Sequence, residues 1–171
     1  LIRARIQQQY PGHAIVGEEF GVSEHDAGHH RWYIDPIDGT KAFTRGVPLY
    51  GVLIGLEIEG TVEVGVVYFP ALNEMVAAAS GEGCWMNGRR VAVSSVSSIK
   101  EAVVAFTDAG SFDEHGRFEA WERIKKAAYV RAGWGDAYGH CLVATGRAEV
   151  MLDPVMNVWD CAPFPPILKE A

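Results

Sequence analysis

An α/β (α+β) fold of layered sheets and helices is predicted by three features of the 171-residue chain. Residues 49–59 and 62–69 are β-rich runs split by Glu59-Gly60, which read as a hairpin. From Ala102 onward, strand and helix signals alternate, the rhythm of stacked layers. Turn dipeptides such as Pro11-Gly12 and Asn87-Gly88 punctuate both halves, and no internal repeat or low-complexity linker interrupts them.

The elements follow in order. Ile2 to Tyr10 reads as a helix, Pro11-Gly12 as a turn, and Ala14 to Gly17 as a strand that delivers Glu18. Residues 21–31, rich in Gly, His and acid, read as a surface loop in which His29 and His30 are solvated rather than metal ligands. The run Trp32-Tyr33-Ile34 leads as a strand into a tight turn, with a short helical stretch from Lys41 to Thr44 behind it. After the hairpin, Glu74 to Ala79 and Cys84 to Met86 continue the sheet into the Asn87-Gly88 turn. A strand (Ala102 to Thr107), a helix (Asp113 to Lys126) and a strand (Ala128 to Arg131) come next. The Gly-rich joint Gly133 to Asp136 opens a helix through Ala144, and Ala148 to Leu152 feeds the Asp153-Pro154 turn. A last helix starts near Asp160, where Pro163, Pro165 and Pro166 predict either a later start or a looser hold on Asp160.

Composition narrows the functional class. With 49% apolar and 22% charged residues the chain reads as a soluble domain. A net charge of −7 speaks against nucleic acid as a partner, because phosphate backbones need a basic face. No apolar run reaches bilayer length, so no membrane partner is expected. Three cysteines, Cys84, Cys141 and Cys161, are far apart and odd in number, which predicts free thiols in a reducing cytoplasmic setting.

The segment Asp35-Pro36-Ile37-Asp38-Gly39-Thr40 carries the chemistry. Asp-Pro and Asp-Gly are ordinary turn pieces, and a plain turn is one reading. Two carboxylates three residues apart repel unless a cation lies between them, and the all-oxygen donor set suits a hard divalent ion. The Asp-x-Asp-Gly-Thr pattern of aspartyl-nucleophile phosphatases does not apply, because Pro36 stands where the nucleophile would be.

Three segments in this order decide between the readings: Ile15-Val16-Gly17-Glu18-Glu19, Asp35 to Thr40, and Asn157-Val158-Trp159-Asp160-Cys161-Ala162. Together they resemble the inositol monophosphatase-like family of magnesium-dependent, lithium-sensitive phosphatases, and the resemblance runs almost end to end. It implies a layered αβαβα sandwich of the inositol monophosphatase / fructose-1,6-bisphosphatase type, one partial domain over residues 1–171. The family's N-terminal helices and C-terminal part would lie outside a chain that begins at Leu1 within one helix and stops at Ala171 within another.

The resemblance also implies two or three Mg2+ ions and hydrolysis of a small phosphate monoester, by a protein that is usually a homodimer. Glu18, Asp35 and the carbonyl of Ile37 would hold the first ion; Asp35 would bridge to a second, completed by Asp38 and Asp160. Thr40 would orient the attacking water with an acidic residue from a segment outside the chain, so that Thr40, Asp38 and Glu18 form the catalytic set. Gly39 and Thr40 would meet the phosphate, and Asp136, Asp153 and Asp160 the alcohol, with Glu19 behind the ligands. On the residues alone, Asp160 and Asp136 are equally helix N-caps, and Asp153 equally a turn residue before Pro154. Two carboxylates at the alcohol end suit a cationic substrate, and the segments around Thr40, Trp134 and Asp153 are worded most like the histidinol-phosphatase branch. Histidinol phosphate is therefore the expected substrate, with an inositol or other polyol phosphate as the alternative, and a non-catalytic interaction protein on the same fold as a reading of another class.

Overall fold

The computed structural model describes residues 1–19, 21–22 and 29–171. An eight-stranded sheet is built from β1 (Ala14–Gly17), β2 (Gly21–Val22), β3 (His30–Asp38), β4 (Gly51–Ile58), β5 (Thr61–Phe69), β6 (Glu74–Ala79), β7 (Gly83–Met86) and β8 (Arg89–Val91). Its order is β2-β1-β3-β4-β5-β6-β7-β8, with β1 and β3 parallel and every other pair antiparallel. The second sheet has three parallel strands, β9 (Val103–Phe106), β10 (Val130–Ala132) and β11 (Val150–Leu152), in the order β10-β9-β11. Among the described residues no helix is long and apolar enough to cross a membrane.

Side-chain alternation along the strands assigns the helices to layers. Ile15 and Ile34 face one side of the large sheet and bury Ile6 of α1 (Ile2–Gln9). Their neighbours Val16 and Tyr33 face the other side and pack on Trp159 and Ala162, at α6 (Val158–Cys161). On that same inner side, Leu53, Val67, Phe69, Val76 and Cys84 bury Ala137, Cys141 and Ala144 of α5 (Asp136–Ala144) and Phe164 and Ile167 of α7 (Phe164–Glu170). Met151 of β11 in turn meets Gly139 of α5. Phe106 of β9 lies on Trp121 of α4 (Phe118–Ala127), which also stacks on Phe112 of α3 (Ala109–Glu114). The layers are thus α1, large sheet, α5 to α7, small sheet, α3 and α4, the expected αβαβα order.

Four local expectations are corrected. Residues 30 and 31 belong to β3 rather than to a loop, and residues 21–22 form β2; residues 23–28 lie outside the described set. The helix expected over 113–126 is two helices, because Gly116 takes a left-handed φ of 66° and ends the first. No tight turn follows Ile34; β3 runs on through Asp38. The prolines fall outside any helix interior, since α6 ends at Cys161 and Pro163 precedes a second helix whose first turn holds Pro165 and Pro166. First-turn N–H groups have no intrahelical partner, so prolines there remove nothing.

That joint between α6 and α7 sits in a notch. Gly55 of β4 and Gly65 of β5 are directly paired. A Cβ on Gly65 would lie 2.0 Å from the carbonyl oxygen of Pro163, and one on Gly55 2.8 Å from the Ala162 Cβ. Two adjacent glycines let the chain after Asp160 press against the sheet backbone, which holds the base of α6 in place.

Candidate active site

Carboxylates converge because the parallel strands of both sheets end at the same place. Glu18 follows the end of β1, and Asp35 and Asp38 lie at the end of its parallel neighbour β3. Thr107, Asp136 and Asp153 come just after β9, β10 and β11. The carboxyl ends of parallel strands are the common location of ligand sites in α/β folds.

The spacing of Asp35 and Asp38 needs a device. In a regular strand, residues three apart point to opposite faces. Here Asp35 pairs with Leu53 and Asp38 with Gly51, so β3 spends one residue more than β4 over this stretch. This β-bulge returns Asp38 to the face of Asp35, and Pro36 within it has no ladder donor to lose. The N–H of Ile37 donates to Asp35 Oδ1 at 2.9 Å, closing the bulge.

Asp160 arrives from the middle layer. It is the third residue of α6 rather than its N-cap, which is Asn157. Asp160 Oδ2 accepts from the Asn157 backbone N–H at 2.8 Å and from Asn157 Nδ2 at 3.1 Å. One oxygen from each of Asp35, Asp38 and Asp160 lies within 4.8 Å of the others. Asp35 is only 2% exposed, yet no Lys or Arg is ion-paired with any of the three among the described residues.

Electrostatics record the cost of that arrangement. Burial pushes the Asp35 carboxyl up to about 7, with repulsion from Glu18 and Asp160 adding to it and the Ile37 N–H partly offsetting it. Burial pushes Asp38 up to about 8, against a hydrogen bond from the Ala137 N–H and with repulsion from Asp136, Asp35 and Asp160. Asp136 is likewise raised by burial and by Asp153, with Lys41 opposing. Three oxygen donors that cannot all ionise cheaply without a cation fit a hard divalent metal such as Mg2+.

The surroundings divide into two cavities sharing a wall. One, of about 320 Å³, is lined by Glu18, Asp35, Ile37, Asp38, Gly39, Thr40, Lys41, Thr107, Asp136, Asn157 and Asp160. Glu18 borders this cavity but stands outside the tight trio. Gly39 has a left-handed φ of 76°, and a Cβ there would lie 2.9 Å from the Leu49 carbonyl oxygen. It opens α2 (Thr40–Phe43), and Thr40 Oγ1 donates to the Ile37 carbonyl at 3.1 Å. The second cavity, of about 260 Å³, adds Asp108, Ser111, Glu114, His115, Ala137, Asp153, Val155 and Met156 to Asp38, Lys41, Thr107, Asp136 and Asp160.

Thr107 organises the second cavity, and sequence reasoning missed it. Its hydroxyl donates to Asp153 Oδ2 at 2.8 Å and accepts from the Asp136 N–H at 2.9 Å. Asp136 is the first residue of α5, not its N-cap, and takes a left-handed φ of 51°. Thr107 and Lys41 gave no sequence signal beyond their positions at a strand end and after Gly39-Thr40. Three other residues lie elsewhere. Glu19 lines a separate groove with Leu1, Ile2 and Ile34 and does not border the acidic cavity. His30 stacks on His13 with ring centroids 4.4 Å apart, and His29 is 3.9 Å from Glu59.

Known proteins are similar to this chain in both sequence and fold. The sequence model of the inositol monophosphatase family matches residues 1–171. A histidinol-phosphatase of Chlorobaculum parvum is 46% identical over 172 residues, covering 100% of this chain and 66% of that protein. A histidinol-phosphatase of Mycobacterium tuberculosis is 35% identical over 175 residues, covering 99% of this chain and 67% of its own length. The structure of an inositol monophosphatase from Anabaena (Nostoc) sp. PCC 7120 superposes with a TM-score of 0.89 at 26% identity, covering 99% of this chain and 68% of that one. The chain thus spans about two thirds of the length of the relatives it matches. It belongs to the inositol monophosphatase family.

Proposed function

We propose that this chain carries the metal site, and much of the substrate site, of a magnesium-dependent phosphate monoester hydrolase whose substrate is L-histidinol phosphate. The observation that carries the reading is the trio Asp35, Asp38 and Asp160, with carboxylate oxygens within 4.8 Å of one another beside an acid-walled cavity. Glu18, which borders the same cavity, and the Ile37 carbonyl would complete the ligand set for two or three ions. Bound there, magnesium would neutralise the phosphoryl oxygens and make a water nucleophilic at neutral pH.

The remaining work falls to the chain. Thr40 Oγ1 donates to the Ile37 carbonyl, so its lone pairs are left to accept a proton of the attacking water and fix its direction. Gly39 and Thr40 would present backbone N–H groups to the phosphate. Asp136 and Asp153, tied together through Thr107, hold the alcohol part of the substrate. L-Histidinol carries an ammonium group and an imidazole, and a wall of carboxylates favours it over a neutral polyol. The identity to two histidinol-phosphatases supports the same choice. We place the protein in the cytoplasm, as a homodimer, on the same resemblance.

The test is phosphate release by the full-length gene product from L-histidinol phosphate and from inositol 1-phosphate, with and without magnesium. Magnesium-dependent turnover preferring histidinol phosphate is expected. Preference for inositol phosphate would move the substrate to the polyol class, and absence of turnover with either would favour a non-catalytic interaction protein.

A further inference from the structure

The second cavity has a wall that the phosphoryl chemistry does not use. Two members of the metal trio, Asp38 and Asp160, line this cavity directly, so it lies beside the metal site. α3 and its C-cap residue contribute Ser111, Glu114 and His115 to the lining of this cavity. Positions i, i+3 and i+4 make one helical face. The face is firmly set: Asp108 Oδ1 accepts from the Gly110 N–H at 2.9 Å, Ser111 Oγ donates to the Asp108 carbonyl at 2.7 Å, and Phe112 stacks on Trp121 behind.

The carboxylates around this space differ in what they can still accept. Asp153 takes donors on both oxygens, from Thr107 and from the Val155 N–H at 3.3 Å. Asp108 caps its own helix, and Asp38 and Asp160 belong to the metal trio. The side chains of Glu114 and Asp136 have no hydrogen-bond or ion-pair partner among the described residues, and of the two Glu114 alone comes from α3, bordering the cavity that Asp38 and Asp160 of the trio also line. A phosphate ester held by metal at one end therefore extends its alcohol toward an uncommitted anion.

We propose that Glu114 is a specificity-determining residue, accepting a hydrogen bond from the cationic group of the leaving alcohol and so selecting amino-alcohol phosphates over neutral polyol phosphates. This rests on the phosphatase reading above and adds to it the residue that reads the substrate. Asp136 and Asp153 fix the near part of the alcohol, and Glu114 meets its charged end. A neutral polyol can offer this carboxylate only hydroxyl donors, which bind it less strongly than a cationic donor does.

The experiment compares wild type, Glu114→Gln and Glu114→Asp in the full-length gene product, using L-histidinol phosphate, inositol 1-phosphate and p-nitrophenyl phosphate, with inhibition by L-histidinol as a readout independent of the chemical step. Glu114 is exposed, so both variants are expected to fold, which thermal melting checks. The ratio of kcat/KM for histidinol phosphate over inositol phosphate should fall about five- to tenfold in Glu114→Gln, through KM. Inhibition by L-histidinol should weaken by a similar factor, with partial recovery in Glu114→Asp. A ratio and an inhibition constant that both stay within about twofold would overturn the assignment while leaving the phosphatase reading intact. Wild-type protein that hydrolyses only p-nitrophenyl phosphate would do the same. Wild-type protein that hydrolyses none of the three would remove the phosphatase reading and this assignment together.

Discussion

The backbone N–H of Ala137 donates to Asp38 Oδ2 at 2.8 Å, across 99 residues of sequence. Ala137 is the second residue of α5, so its N–H is one of the four that a helix leaves without an internal partner. Asp38 thus acts as an external cap for α5, and its charge lies favourably at the positive end of that helix. The bond commits one oxygen to the helix and leaves the other for the trio. It also joins the bulge of the large sheet to the strand ends of the small one, the two halves of the site.

Asp38→Asn and Asp38→Ala should therefore behave differently. Asparagine can keep an oxygen toward Ala137 while removing one of the repelling charges, so the metal-free protein should melt roughly 2–4 °C higher, about 1 kcal/mol for a domain of this size. Alanine removes the same charge but loses the cap as well, so it should be less stable than Asp38→Asn by about 1 kcal/mol. Both should lose turnover and most of the stabilisation that magnesium gives wild type. Differential scanning fluorimetry with and without magnesium separates the three proteins.

The raised carboxyls predict how stability follows pH. Asp35 lies near 7 and Asp38 near 8, against 3.8 for an ordinary carboxyl. Both are raised, so the folded chain binds more protons than the unfolded one between about pH 4 and pH 8. The stability tied to these protons is whole below about pH 4 and is lost as pH rises through 7 and 8. Metal-free wild type should lose melting temperature relative to Asp38→Asn over that window. Magnesium needs the deprotonated carboxylates, so its stabilising effect should grow across the same range. Melting temperatures measured at several pH values, with chelator or with magnesium, give both slopes; a flat difference between wild type and Asp38→Asn would show that the pair does not titrate there.

What the sequence made legible was chemistry written locally. Asp35 and Asp38 stand out because acid, glycine and proline fall at fixed offsets, Asp160 only through the family resemblance of the segment Asn157 to Ala162, and the strand-helix alternation after Ala102 foretells a layered second half. What stayed hidden depends on partners far away. The bulge at Pro36-Ile37 is defined by counting residues on β4, where Asp38 meets Gly51, and no local rule supplies that count. A lone threonine after a strand carries no mark of function, and Thr107 gains its place from Asp136 and Asp153, 29 and 46 residues away. The break between α3 and α4 is different, because Gly116 is a local signal that a helix over 113–126 does not accommodate at its φ of 66°. The proline-rich stretch after Cys161 looked like damage to a helix only until Gly55 and Gly65, on two other strands, were seen to receive it.

That notch yields a stability prediction. At Gly65 an added methyl would lie 2.0 Å from the Pro163 carbonyl oxygen and 2.8 Å from its carbon. Both are backbone atoms, so no side chain can rotate away, and either β5 or the joint between α6 and α7 must move. Gly65→Ala should destabilise by about 3 kcal/mol, at the upper end of overpacking costs. Gly60→Ala serves as the control for a turn glycine with open space around it, though its φ of 83° carries a strain cost of its own. Urea denaturation should give a clearly lower midpoint for Gly65→Ala than for the control. Because the joint positions Asp160, magnesium affinity should also fall in Gly65→Ala, which the control should not show.

Thr107 offers a sharper separation between binding and folding. Its hydroxyl both donates to Asp153 and accepts from the Asp136 N–H, so it orients two acids with one oxygen. Thr107→Val keeps the shape and removes both bonds, leaving a half-buried N–H and a carboxylate oxygen without their partner. The cost to stability should be about 1–2 kcal/mol. Neither Asp136 nor Asp153 is in the metal trio, so magnesium stabilisation should persist while KM for the phosphate ester rises. Thr107→Ser restores the hydroxyl and should recover most of the lost KM. Kinetics and melting of the two variants decide the point: a Thr107→Val protein destabilised but normal in KM would make Thr107 a purely structural residue, and a serine variant that fails to recover would exclude the hydroxyl as the cause.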